Sequence, residues 1–164
     1  MKRGNSFIFI ILFFMGCGYK FSETATLPQG ISAVYIKFFE NRSADTGIEN
    51  SFTNSLIDEF TRRGTKIDSS KNDAIISGII TSVSTETISH RGPAISNERR
   101  VTVSVDIKLI YNEKIISNKS GMSDNETYIV SDNKFVTEQN RAYAIKTISK
   151  RIAERAYNSL TDNF

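Results

Sequence analysis

The sequence predicts an α+β two-layer sandwich, a four-stranded mixed sheet with two helices packed on one of its faces, in the order β-α-β-β-β-α. Three observations carry this. Residues 99–111 alternate without a break, Val101, Val103, Val105, Ile107 and Leu109 against Arg100, Thr102, Ser104, Asp106 and Lys108, the pattern of a strand with one buried and one wet face. Two segments, residues 48–60 and 145–160, repeat apolar residues at helical spacing, and each needs an apolar surface to lie on. The first helix falls between two strands, so a right-handed crossover makes those strands a parallel pair, while hairpins make the later ones antiparallel. One sheet with both helices on the same side satisfies all three.

Taken in order, residues 1–16 read as an export signal. Lys2 and Arg3 supply its positive end, and the apolar run from Phe7 to Met15 is well short of the roughly 20 residues a spanning helix needs. The run ends on Gly16 and the single cysteine, Cys17. In a bacterial lipoprotein signal that thiol is alkylated by a diacylglycerol group and the freed amino group is acylated. Two or more chains anchor stably at about 0.8 kcal/mol per buried methylene. A lone cysteine directly after such a run has no disulfide partner to explain it, so Cys17 is the expected lipidation site. Phe14 and Met15 make the lipobox a relaxed one, and Gly18 in place of Asp points to the outer membrane. Residues 17–30 then form a lipidated tether and residues 31–164 a single domain, enough chain for one core.

Residues 31–39 alternate as a first strand, Val34, Ile36 and Phe38 against Ala33, Tyr35 and Lys37. After a polar turn, Thr46-Gly47-Ile48-Glu49 has the form of a capping box, so a helix is expected to start there. Ile48, Phe52, Leu56, Ile57 and Phe60 form its apolar face, Arg62 and Arg63 suit its C-terminal dipole, and Gly64 is placed as its stop. Residues 73–88 read as a long strand, apolar on both faces at first (Ile75, Ile76, Ile79, Ile80) and therefore central there. A loop with the only histidine, His90, and Arg91-Gly92-Pro93 leads into the alternating strand. Asn112-Glu113 closes a hairpin into a weakly alternating strand, residues 114–130, with a bulge or bend expected near Gly121. The last helix, within residues 135–160, docks by the stripe Ile145, Ile148, Ile152, Ala156 and Leu160.

The formal charge is +3, of which Lys2 and Arg3 leave with the signal, so a basic nucleic-acid surface is disfavoured. Convergent catalytic residues are missing: one His, one Cys assigned to lipid, and scattered carboxylates, with no G-x-S-x-G, H-E-x-x-H, phosphate-cradling glycine loop or C-x-x-C. No enzyme activity, metal or cofactor is expected. The suggestive set is basic: Arg91, Arg99, Arg100 and Lys108 around the second hairpin and Lys134 before the last helix. It reads either as a solvated face or, for Arg91, Arg99 and Lys134 at loop ends, as a site for an anionic phosphate or sugar acid. The sheet face carrying Thr102, Ser104, Asp106 and Lys108 is solvated or covered by a partner.

Several segments together resemble the lipopolysaccharide-assembly family LptE. They are Gly16-Cys17-Gly18-Tyr19-Lys20-Phe21; Leu27-Pro28 before a strand ending Phe38-Phe39-Glu40-Asn41-Arg42-Ser43; the helix through Leu56-Ile57-Asp58-Glu59-Phe60; the strand with Asp73-Ala74-Ile75-Ile76-Ser77-Gly78; the strand from Arg100; and Glu126-Thr127-Tyr128. The resemblance implies an outer-membrane lipoprotein that plugs the LptD β-barrel, assists its assembly and helps deliver lipopolysaccharide to the outer leaflet. Its implied partners are LptD, lipopolysaccharide and the membrane itself through Cys17, with Arg91, Arg99 and Lys134 as candidate lipopolysaccharide contacts. The alternative is an outer-membrane lipoprotein that activates a cell-wall synthase or builds a secretion pore, because a similar first strand occurs there. A lipid-anchored hydrolase is disfavoured by the missing nucleophile and base.

Overall fold

The computed structural model describes residues 27–69, 74–88 and 97–161. Its elements are β1 (Ala33–Ile36), β2 (Glu40–Asn41), α1 (Glu49–Arg62), β3 (Lys66–Ile67), β4 (Ala74–Ile88), β5 (Glu98–Tyr111), β6 (Lys114–Ile129) and α2 (Lys134–Thr161). One mixed sheet runs β3-β1-β4-β5-β6, with β2 beside β4 beyond the end of β1. β1 is parallel to β3 and to β4, and the β4–β5–β6 meander is antiparallel. The two-layer α+β class therefore holds, with more strands than the expected four. The additional strands, β2 and β3, are two residues each, too short to leave a period in the sequence. They form because β4 and β1 offer unpaired backbone at their edges.

β5 buries Val101, Val103, Val105, Ile107 and Leu109 as its alternation requires. Against them lie Phe52, Leu56 and Phe60 of α1 and Ile145, Ile148, Ile152, Ala156 and Leu160 of α2, in one continuous core. The helices meet where the Ser55 and Ser149 hydroxyls approach to 2.9 Å and where Phe60 packs edge-on against Tyr157 at 4.9 Å. Beside that contact the buried Glu59 carboxylate is held by Arg62 and Arg63, and Arg63 lies over the Tyr157 ring.

α1 ends as its glycine predicts. Gly64 has φ of 84°, its N–H donates to Thr61 O, and the Thr65 N–H donates to Phe60 O, a Schellman closure. Its start differs from the expected capping box. The position before the helix is Ile48, without a side-chain cap, and Glu49 is the first helical residue, its carboxylate accepting from the Gly47 N–H at 3.2 Å rather than from the N–H of Thr46 as the box requires. A second donor, Asn41 Nδ2, takes the other carboxylate oxygen at 3.0 Å. The carboxyl of Glu49 is held below its usual range by its own backbone N–H first, then by Asn41 and Gly47.

The first strand also differs from its alternation. It stops at Ile36, Phe38 is exposed, and Phe39 is buried. The Phe39 ring covers the Cα of Gly78 on β4, and its N–H donates to Thr53 Oγ1 of α1 at 3.1 Å. A contact from another strand thus shifts the inward position by one residue. The hairpin at Asn112 and Glu113 has both residues at positive φ, as a primed two-residue turn demands. The expected irregularity near Gly121 is a register shift opposite Asp106, whose carboxylate accepts from the Gly121 N–H at 2.8 Å.

Candidate functional site

Because β1 and the start of β4 run parallel, the sheet has two chemically different ends. The hairpin end carries the start of β1, the turn at Asn112 and the C-terminus of α2. The far tip carries Ile88, Glu98, Ile129 and the N-terminus of α2. α2 runs antiparallel to β6, as its contacts in sequence show: Asn140 to Ile129 O, Arg151 to Asp124 and Glu126, Arg155 to Ser123 O. The Arg151 guanidinium bonds both carboxylates, at 2.8 and 2.7 Å, and Asp124 above all raises its pKa. This clamp sets the helix on the sheet and thereby positions the tip.

The tip is closed by backbone and side-chain bonds. Val130 N–H donates to Asn97 O at 2.6 Å, and Ser131 N–H donates to Thr137 Oγ1 at 2.9 Å. Asn133 Oδ1 accepts from the Phe135 N–H at 2.9 Å and so caps α2. Lys134 is the first helical residue and is exposed, adding its charge to the positive end of the helix dipole. Arg99, also exposed, stands opposite Tyr128 in the β5–β6 register. At this end opens a groove of about 520 Å³, walled by Tyr128, Ile129, Asn140, Tyr143 and Ala144, with Glu98 and Glu126 at its polar side.

Of the basic residues singled out by sequence, Arg99 and Lys134 are thus at the same end of the domain. Arg100 and Lys108 are not with them. They point to the face away from the helices, where Arg100 pairs with Glu86 at 3.1 Å. Arg91, His90 and Cys17 lie outside the described residues. Sequence reasoning missed the apolar part of the tip: Ile129, Phe135 and Tyr143 are 61%, 68% and 74% exposed, and Val136 is exposed beside them. The available signal was that Phe135, Val136 and Tyr143 fall off the helical stripe led by Ile145. Cationic side chains and exposed apolar side chains at one end suit an amphipathic anion.

The opposite sheet face is rich in hydroxyls, Ser77, Ser82, Ser84, Thr102, Ser104 and Ser123 among them, with Ser104 Oγ donating to Ser123 Oγ at 3.2 Å. No helix among the described residues is long and apolar enough to cross a membrane.

Comparison with known proteins gives the chain a family and a set of structural neighbours. The family model described as "LptE: Lipopolysaccharide-assembly" matches residues 31–160. No curated protein matches the chain significantly by sequence. Among solved structures, a minor lipoprotein from Acinetobacter baumannii superposes with a TM-score of 0.55 at 10% identity, covering 80% of this chain and 91% of its own. An uncharacterized lipoprotein B from Nitrosomonas europaea has a TM-score of 0.55 at 14% identity, covering 85% and 87%. A putative lipoprotein from Caulobacter crescentus has a TM-score of 0.52 at 14% identity, covering 75% and 87%. At these identities the neighbours establish the shared fold.

Proposed function

Because the chain belongs to the LptE family and so takes part in lipopolysaccharide assembly, we propose that it acts as a non-catalytic, lipid-anchored outer-membrane plug. It is exported through residues 1–16, anchored at Cys17, and tethered by residues 17–30. Its domain seats inside an LptD-type β-barrel, assists the barrel's assembly and helps pass lipopolysaccharide to the outer leaflet. The observation that carries this reading is the amphipathic tip. Arg99 and Lys134 lie at the same end of the domain as exposed Ile129, Phe135 and Tyr143, the end opposite the start of β1. Lipopolysaccharide presents phosphates and acidic sugars next to acyl chains, and such a tip offers a partner to each. Arg91, between β4 and β5 in sequence, is assigned to the same site. The hydroxyl-rich outer sheet face suits the polar interior of a large barrel.

Pull-down of the tagged, lipidated chain from solubilised outer membranes tests the plug. Recovery of one large β-barrel protein in stoichiometric amount is the expected result. Recovery of a cell-wall synthase instead would favour the alternative role, and the absence of any barrel would sink the plug.

A further inference from the structure

On the sheet face away from the helices, an apolar row crosses four strands in register. Tyr35 stands opposite Ile75, Ile75 opposite Ile110, and Ile110 opposite Ile115. Their chain neighbours Ile36, Ile76 and Leu109 are buried beneath the helices, which fixes this row on the face that no described helix covers. Ile115 is 60% exposed, and the other three are partly exposed. Lysines flank the row. Lys37 follows Tyr35, Lys108 is on the next rung of β5, and Lys66 pairs with Ala33 on the outermost strand. Farther along, the same face carries Ser77, then Ile79 between Glu40 and Asp106, and beyond them serine and threonine, so the row across four strands is the apolar part nearest the hairpin end, where the chain passes from Leu27 into β1.

We propose that this band is a membrane-contact surface, resting on the phospholipid headgroups of the leaflet that holds the anchor. The inference rests on the reading of Cys17 as that anchor. Leu27 is fixed in the core, and the stretch from Cys17 to Leu27 can reach at most about 35 Å. The hairpin end is thus kept beside the membrane, and the far tip is held away from it. Apolar side chains of this kind sink into the boundary of headgroups and acyl chains, while lysine stems lie along the surface and their ammonium groups meet lipid phosphates. A polar barrel lumen would match the hydroxyl half of the face, whereas the isoleucine half with its lysines matches anionic lipid.

The test uses the full lipidated chain in vesicles of phosphatidylethanolamine with a minority of phosphatidylglycerol. Acylation of Cys17 leaves Ile115→Cys as the single free thiol for an environment-sensitive fluorophore, with Thr127→Cys as the reference near the far tip. Severalfold stronger quenching by brominated lipid at position 115 than at 127, reduced when Lys37→Glu and Lys66→Glu are added, is the expected result. Equal quenching in protein that floats with the vesicles overturns the contact and leaves the anchor standing. Protein that does not float overturns the anchor and the contact with it. A probe shielded only when a barrel protein is added assigns the band to a protein partner and overturns the lipid contact.

Discussion

Replacing Gly78 with alanine would test the contact that sets the first strand. An ideal Cβ at this position would lie 2.2 Å from two carbons of the Phe39 ring, far inside contact distance. The ring has little room to withdraw, since Phe52 lies behind it at 6.0 Å between centroids and the Phe39 N–H is tied to Thr53. Overpacking of a core usually costs about 1–3 kcal/mol. Alanine is favoured over glycine inside a strand by roughly 0.5–1 kcal/mol, which offsets part of that. The expected net loss is about 1–2 kcal/mol by these two terms, and eviction of the ring would move it toward the roughly 3–5 kcal/mol of a Phe→Ala change. Urea unfolding followed by circular dichroism measures it. In a Phe39→Ala background the same Gly78→Ala change should be neutral or slightly stabilising, because the clash has no partner. If Gly78→Ala alone is as stable as the native protein, the ring does not occupy that space and the account of β1 fails.

Three further outcomes follow from named contacts. Arg99→Glu with Lys134→Glu should lower lipopolysaccharide affinity at least about tenfold, roughly 1.4 kcal/mol or more, with an unchanged urea midpoint; unchanged affinity by surface plasmon resonance would retire the tip as the site, and Arg91→Glu extends the same series. Asn41→Ala removes donors to Asp45 O and Glu49 and an acceptor for the Ser43 N–H, and should cost about 1–3 kcal/mol in urea unfolding. The lowered folded value of Glu49 means its contribution is complete above the unfolded value, about 4.3, and is lost as pH falls through the lower folded one. Stability should therefore fall more steeply below that pH in the native chain than in Glu49→Gln, and parallel acid titrations would refute the assignment.

Much of the architecture was legible because local chemistry and global fold agree. The alternation of β5, the stop at Gly64, the primed turn at Asn112 and Glu113, and the bulge beside Gly121 each have a local cause that the sequence displays. The segment after β1 was legible as a family resemblance, and the structure explains it as architecture. Phe39 fills the space above Gly78, and Asn41 organises the turn into α1. β2 and β3 were illegible because two residues carry no period, and the slip from Phe38 to Phe39 was illegible because its cause lies on another strand.

The sequence by itself determined the two-layer class, the order of the long elements and the family, and it suggested roles for Cys17 and the basic loop ends that stand as proposals. Those rest on periodicity, turn chemistry and motif order, all of which are local. Only the tertiary structure decided which basic residues share a surface. Arg99 and Arg100 are neighbours in sequence, yet the strand sends one toward the tip and the other to the opposite face to meet Glu86. It also decided that Ile75, Ile110 and Ile115 form one row with Tyr35 on the face away from the helices, because strand register, which couples residues far apart in the chain, aligns them.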